Sequence, residues 1–307
     1  MPLMIIRWGT NLLLLILVGI LGIWLALNGD NSQVLEKSLF PEETKEVDRV
    51  MLDHAEHIEF VREAGTWKLV QPFEAPVSQV RVALLLEIRN AVPKADYSLN
   101  DDDRKTFGLD PPLAKITIGN TRIEFGSKAP MDASRYAAIG SRLYLIDDQY
   151  YRPMQGKPTD FVEKKLLDEG FSIRSITLPG LKVDRGADGK WTSTPAYSEA
   201  DLSDFVMQWS MARAIEVHRE SADRVIGETI EVVGDEGSRQ FVILQKGPDL
   251  VVARNDLGLS FVVHREAGLR LLNVKVPGDQ DSQTDSDSQD GHDSSGSAAA
   301  PLSMPGH

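Results

Sequence analysis

The 307-residue chain contains no cysteine. That absence excludes a disulfide framework, thiolate metal sites, a cysteine nucleophile and an iron–sulfur cluster. Basic charge is also scarce: 33 Lys and Arg stand against 46 Asp and Glu, a net charge of -13. A phosphate-backbone binder needs clustered cations, so nucleic acid is not an expected partner. The usual catalytic signatures are missing as well, with no Gly-x-Ser-x-Gly elbow, Walker loop, Gly-x-Gly-x-x-Gly turn or His-Glu-x-x-His pair. Asp53-His54-Ala55-Glu56-His57 is the densest set of possible ligands, but its histidines are three apart beside a predicted strand and read as a polar turn. His218 and His264 stand near the ends of comparable elements without a nucleophile motif, and Asp101-Asp102-Asp103 and Asp147-Asp148 read as solvated loop acids. The expectation is a protein with no catalytic, metal or cofactor residues.

What is present begins at the amino terminus. Between Arg7 and Asp30 lie 22 uncharged residues, Trp8 to Gly29, built on the run Leu12 to Leu27. As a helix they span about 33 Å, enough for a hydrocarbon layer of about 30 Å. Trp8 and Trp24 stand near the two ends, where amphipathic rings settle. A cleaved signal peptide shares the short basic start and the apolar stretch. The length of the stretch, and an exit at Ala26-Leu27-Asn28-Gly29 without a clear small-x-small site, favour a retained anchor. Arg7 precedes the span, and Asp30, Glu36, Glu42 and Glu43 follow it, which places the amino terminus in the cytoplasm and the rest outside.

The opposite end is acidic and poor in apolar residues. From Pro277 to His307 there are six Asp and no Lys or Arg, in a setting of Ser, Gln, Gly, Ala and Pro. Such a composition cannot bury enough surface to offset its ordering entropy and is read as a disordered tail.

Between these ends the sequence repeats itself. Val47 to Leu52 returns as Ile173 to Leu178, and Gly65-Thr-Trp67-Lys-Leu-Val-Gln-Pro72 returns as Gly189-Lys-Trp191-Thr-Ser-Thr-Pro195. After each Pro a helix is predicted, over 78–92 and 198–215. A short polar turn ending on glycine follows, Asp103 to Gly108 in one half and Asp223 to Gly227 in the other. Strands are predicted over 115–125 and 134–147, then 229–245 and 249–264. Glu63-Ala-Gly65-Thr and Asp188-Gly189 are hairpin turn signals. Ser198 with Asp201 resembles a capping box, and Leu202, Phe205, Val206 and Trp209 fall on one helical face. The first helix is apolar almost all round, so cover on more than one side is expected.

The expected class is α+β: a transmembrane helix followed by two tandem repeats of antiparallel sheet plus helix. Residues 1–29 are the cytoplasmic stub and anchor, 30–46 a linker, 47–154 the first unit, 155–172 a connector, 173–272 the second unit and 273–307 the acidic tail. Trp67 and Trp191 read as equivalent core anchors, with stacking on a sugar or peptide as the alternative. Gly108 and Gly227 end the polar turns, and Gly108 is placed for the left-handed conformation, with Pro111-Pro112 stopping any continuation. Asp110, Pro111 and Pro112 form the candidate partner contact.

The anchor, the Gly-x-Trp-x-x-x-x-Pro hairpin, Phe107-Gly108-Leu109-Asp110-Pro111-Pro112, and the strands Ile123-Glu-Phe-Gly126, Arg135-Tyr136 and Leu143-Tyr-Leu-Ile146 together resemble the bacterial domain-of-unknown-function 4340 family. The resemblance covers about 47–272. It implies a bacterial inner-membrane protein with its bulk in the periplasm, of a kind often encoded beside ABC transporter components of the gliding-motility type. The expected role is a non-catalytic accessory that binds other envelope or transporter proteins. A hydrolase or carbohydrate-binding module acting on an envelope polymer is the alternative.

Overall fold

A computed structural model describes residues 39, 47–130, 133–220 and 225–275 of the chain. The predicted membrane span at 8–29 lies outside the described residues, as does the tail from 276 onward. The chain divides into two compact units, Met1–Lys164 with Val217–Arg219, and Lys165–Glu216 with Glu220–His307.

The first sheet is built from β1 (Arg49–Asp53), β2 (His57–Glu63), β3 (Thr66–Gln71), β4 (Ala75–Pro76), β5 (Ala95–Ser98), β6 (Ala114–Ile118), β7 (Thr121–Lys128), β8 (Ser134–Ile139) and β9 (Arg142–Asp147). Alternation makes it one-sided. Val50 and Leu52 of β1 face Ile118 and Ile116 of β6 in register, and Ile116 faces Ile123 of β7, so one row of buried aliphatics crosses three strands. The hairpin between β2 and β3 closes through Ala64 and Gly65, both at positive φ (47° and 83°), the central conformations of the turn that matches strand twist.

The second sheet comprises β10 (Ile173–Leu178), β11 (Leu181–Arg185), β12 (Trp191–Thr194), β13 (Glu216–Arg219), β14 (Thr229–Gly234), β15 (Gly237–Gln245), β16 (Leu250–Arg254) and β17 (Leu259–Val263). The strand orders are β4-β3-β2-β1-β6-β7-β8-β9-β5 and β12-β11-β10-β14-β15-β16-β17-β13. Apart from β4, which has no counterpart among the described residues of the second unit, the two walks are the same. Each runs outward-in through the first hairpin pair, continues through the four later strands, and ends on the strand that follows the helix. The internal repeat is therefore a repeat of topology, with antiparallel pairing in both units.

Each unit carries a helix after its third long strand. In the second unit α2 (Glu199–Met211) is capped by Ser198, whose Oγ accepts from the Asp201 N–H at 3.2 Å, and it buries Leu202, Phe205, Val206 and Trp209. Trp209 is 0% exposed, lies 5.8 Å from Phe241, and donates its indole N–H to the Leu271 carbonyl in α3 (Arg265–Leu272). That bond satisfies the one polar atom of a fully buried ring. The helix stops at Met211, short of the predicted Ile215, because Ala212 is extended and β13 begins at Glu216.

The first helix departs further from expectation. α1 covers only Gln79–Leu86 and passes into a 3-10 turn over Glu87–Asn90. Pro93 follows, and the clash of its ring with the preceding residue ends helical backbone before Val92. Only Val82 and Leu85 of α1 are buried, whereas Val80 is 70% and Leu84 48% exposed. The expected cover on more than one side is thus corrected: composition counted apolar residues but could not say which of them face the sheet. Two residues of the segment assigned to the tail, Asn273 and Lys275, contact the second unit: the Asn273 side-chain amide donates to the Leu269 carbonyl, and Lys275 pairs with Asp201 at 3.0 Å.

Candidate functional site

The proline-bearing segment between β5 and β6 is bound to the first sheet from beneath. A 3-10 turn over Asp101–Asp103 leads through further turns to Gly108, whose φ of +68° is one that L side chains rarely adopt. Phe107 then presents its carbonyl to β7, accepting from the Ser127 N–H at 2.8 Å and from Ser127 Oγ at 3.1 Å. Arg104 pairs with Glu124, and the Leu113 N–H donates to the Phe125 carbonyl at 2.8 Å. Leu109 is buried in a cluster with Leu99, Ala138 and Leu143, beside the Phe107 and Tyr136 rings at 4.8 Å. Gly126 makes this approach possible, because a Cβ there would stand 2.2 Å from the Phe107 carbonyl oxygen.

With its inner side fixed, the segment turns Asp110 and Pro111 outward. Both are exposed and Pro112 is half-buried, followed in sequence by an exposed Leu113. The arrangement is a pre-ordered tip with one outward carboxylate, Asp110, and apolar Pro111 and Leu113 beside it in sequence.

Gly227 occupies the matching station of the second unit. A Cβ on Gly108 would meet Ser127 N at 2.9 Å, and one on Gly227 would meet the Ile243 carbonyl oxygen at 2.9 Å. Ser127 and Ile243 are each the seventh residue of their strands, β7 and β15. The backbones differ, since Gly227 is absent from the positive-φ glycines that include Gly108. Close approach, rather than left-handed backbone, accounts for Gly227. Its predicted turn, Asp223-Arg224, lies outside the described residues.

The sequence model described as Domain of unknown function (DUF4340) matches residues 67–225, more than half of the 307 residues. The chain belongs to this family. The matched span starts at Trp67, contains the whole Gly108 segment, and runs into the second unit through α2. No curated protein and no solved structure matches the chain.

The two tryptophans that mark the repeat are not alike. Each faces an arginine across its hairpin, Arg62 opposite Trp67 and Arg185 opposite Trp191. Trp67 is buried, and the Gln79 side chain completes the strand edge beside it, accepting from the Trp67 N–H at 2.9 Å and donating to the Trp67 carbonyl at 3.0 Å. Trp191 is only half-buried and lies under the Arg185 guanidinium, 5.7 Å from ring centroid to Cζ. Its expected role as a core anchor is corrected, because among the described residues the second unit has no counterpart of β4 or of the Gln79 brace at that edge.

Other polar residues group differently from the sequence reading. His57 Nδ1 lies 2.5 Å from Asp53 Oδ1, whereas His54 turns away to the Tyr151 hydroxyl at 3.4 Å. Among the described residues no group of three or more His, Asp or Glu could hold a metal ion. Asp148 is not a solvated acid. It receives Arg135 Nε at 2.6 Å and Lys128 Nζ at 2.9 Å, while Arg135, 4% exposed, also donates to the Gly126 carbonyl and lies 3.8 Å from the Tyr151 ring centroid. Burial pushes the Asp148 carboxyl up, but the bonds from Lys128 and Arg135 outweigh it and hold the group below the usual carboxylate range. Arg254 makes a comparable two-point contact to Asp256, at 2.6 and 3.1 Å. Again burial opposes and the guanidinium prevails, leaving Asp256 low. Gly126, Ser127, Arg104 and Arg135 were given no role by sequence reasoning. The available signals were the motifs Ile123 to Gly126 and Arg135-Tyr136 for Gly126 and Arg135, and the polar turn Asp103 to Gly108 for Arg104; Ser127 had none.

Proposed function

We propose that the protein is a non-catalytic, single-pass envelope protein, with its amino terminus in the cytoplasm and its two units in the periplasm. It acts as a partner-binding accessory of an ABC-transporter-like assembly. The observation that carries the contact reading is the Asp110-Pro111-Pro112 tip, fixed from within by the Phe107–Ser127 bonds and the Leu109 cluster and left with its acid outward. A surface ordered before binding loses little entropy when a partner docks on it. The membrane part of the reading rests on the uncharged span Trp8 to Gly29 and on Arg7 before it. Among the described residues no helix is long and apolar enough to cross a membrane. The transporter setting comes from the family resemblance.

Alkaline phosphatase fused after Ile146 tests the topology. Activity there, with a dark cytoplasm-dependent fluorescent reporter at the same place, is the expected result. The reverse pattern overturns the topology, and a mature protein starting near Gly29 overturns the anchor. One observation favours the second reading, a carbohydrate-binding module: the half-exposed Trp191 ring backed by Arg185 is a stacking platform. Loss of polymer binding in Trp191→Ala, with the fold intact, would select it.

A further inference from the structure

The outer edge of β12 lacks the cover that its counterpart in the first unit has. Gly186 donates its N–H to the Lys190 carbonyl at 2.8 Å, and from that bonded pair the register of β11 and β12 runs without a shift through Arg185↔Trp191, Asp184↔Thr192, Val183↔Ser193 and Lys182↔Thr194. Bonded and non-bonded pairs alternate along an antiparallel ladder. Thr192 and Thr194 therefore bond to β11, while the main-chain N–H and C=O groups of Trp191 and Ser193 point away from it and meet no partner among the described residues. In the first unit both such groups of Trp67 are taken. The Gln79 carboxamide accepts from the Trp67 N–H and donates to its carbonyl, and β4 pairs with Lys68 and Leu69.

The second unit has less chain with which to build such cover. α1 begins at Gln79, 12 residues after Trp67, whereas α2 begins at Glu199, eight after Trp191. Glu199 opens α2 where Gln79 opens α1, and a carboxylate can accept a bond but has no N–H to donate. β12 itself reads Trp-Thr-Ser-Thr, with no charge, proline or bulge, the features that normally keep a strand edge from pairing.

We infer that the β12 edge receives an extended segment of a partner protein, which adds a strand there. A carboxamide is a peptide group in miniature, and the two bonds that Gln79 makes to Trp67 are those that one peptide unit of an added strand would make to Trp191. Recognition is thus by main chain, with Trp191 and Ser193 each offering one donor and one acceptor. Side chains of the guest alternate between the two faces. Those on the side of the half-buried Trp191 ring are apolar, and those beside the exposed Thr192 and Thr194 are polar. This surface belongs to the second unit and rests on neither the Asp110 tip nor the membrane anchor.

The probe is a blocked hexapeptide of alternating valine and threonine at millimolar concentration, and the readout is amide hydrogen exchange in the full-length, detergent-solubilised protein. Exchange at Trp191 and Ser193 should slow by about threefold, as when the peptide stands at about twice its Kd, and exchange at Thr192 and Thr194 should change less. Unchanged exchange at Trp191 and Ser193 overturns the inference. The same peptide methylated on every backbone nitrogen should protect neither amide. Equal protection by it would mean contact through side chains alone, which also overturns strand addition and favours ring stacking. Ser193→Pro removes one outward N–H without touching a bond to β11, so it should abolish the protection of Trp191, whereas Ser193→Ala should keep it. Undiminished protection in Ser193→Pro overturns the inference. If the proline loosens β12, seen as faster exchange at Thr192 without peptide, the methylated peptide on the parent protein decides.

Discussion

Gly126→Ala should release the proline-bearing tip from the sheet. Gly126 is not at positive φ, so alanine adds no backbone strain. The whole penalty comes from its Cβ, which would sit 2.2 Å from the Phe107 carbonyl oxygen and 3.1 Å from Leu109 Cγ. Because the nearer of these is a backbone atom in a hydrogen bond, the segment must move as a unit. Movement sacrifices the Ser127 N–H to Phe107 bond, a net contribution of about 1 kcal/mol, and part of the burial of Leu109, where full burial of a leucine is worth about 1.5–3 kcal/mol. Replacing glycine also restricts the unfolded chain, which offsets about 0.4–1 kcal/mol. The expected destabilisation is therefore about 1–3 kcal/mol. Gly65→Ala is the comparison, since Gly65 has φ +83° and nothing within 4 Å of its virtual Cβ, so it incurs only the backbone penalty. Urea titration of the purified protein gives both values, and hydrogen exchange at the Ser127 amide reports the released bond. A neutral or stabilised Gly126→Ala with a still-protected amide would refute the docking geometry.

Other consequences are as direct. Trp209→Ala removes a fully buried ring and strands the Leu271 carbonyl, and should cost about 3–5 kcal/mol. Trp191→Ala removes a half-exposed one and should cost about 1 kcal/mol. Urea midpoints in the reverse order would contradict the assigned burial. Asp148 has a folded pKa below its unfolded value of about 4, so the unfolded state binds more protons in the intervening window. Its contribution is complete above about pH 4 and is lost as pH falls through the folded value. Asp148→Asn should be less stable at neutral pH, because Arg135 loses its partner, and its melting temperature should fall less steeply below about pH 4. An acid limb as steep as that of the parent would show that the Arg135 contact does not hold the carboxyl low.

The elements most legible in the sequence were those whose signals are local. α2 could be read because cap and stripe both lie within a dozen residues, Ser198 to Trp209, and the hairpins because their turn residues sit between alternating strands. The repeat could be read from the order of such signals even where identities had drifted. β4, β5 and β13 escaped because strands of two to four residues carry no period to detect. The docking of the tip escaped for a different reason: Phe107 meets Ser127, and Arg104 meets Glu124, 20 residues away in each case. No local pattern encodes such pairs. Equivalence within the repeat also misled at Trp191, because burial depends on what covers an edge, and Gln79 and β4 exist only in the first unit.

Partner recovery from membranes, measured with the tip altered and the fold intact, tests the central claim most directly. The full-length protein and its Asp110→Lys and Leu113→Asp variants are solubilised in mild detergent, and whatever co-purifies is quantified by mass spectrometry. Both positions are exposed, so urea midpoints should match the parent. A membrane-transport component recovered with the parent should fall by about tenfold or more with each variant, as expected when a contact near the centre of an interface is spoiled. Undiminished recovery with both variants, or turnover of an envelope polymer by the purified protein, would contradict an account in which this chain works by contact through that tip.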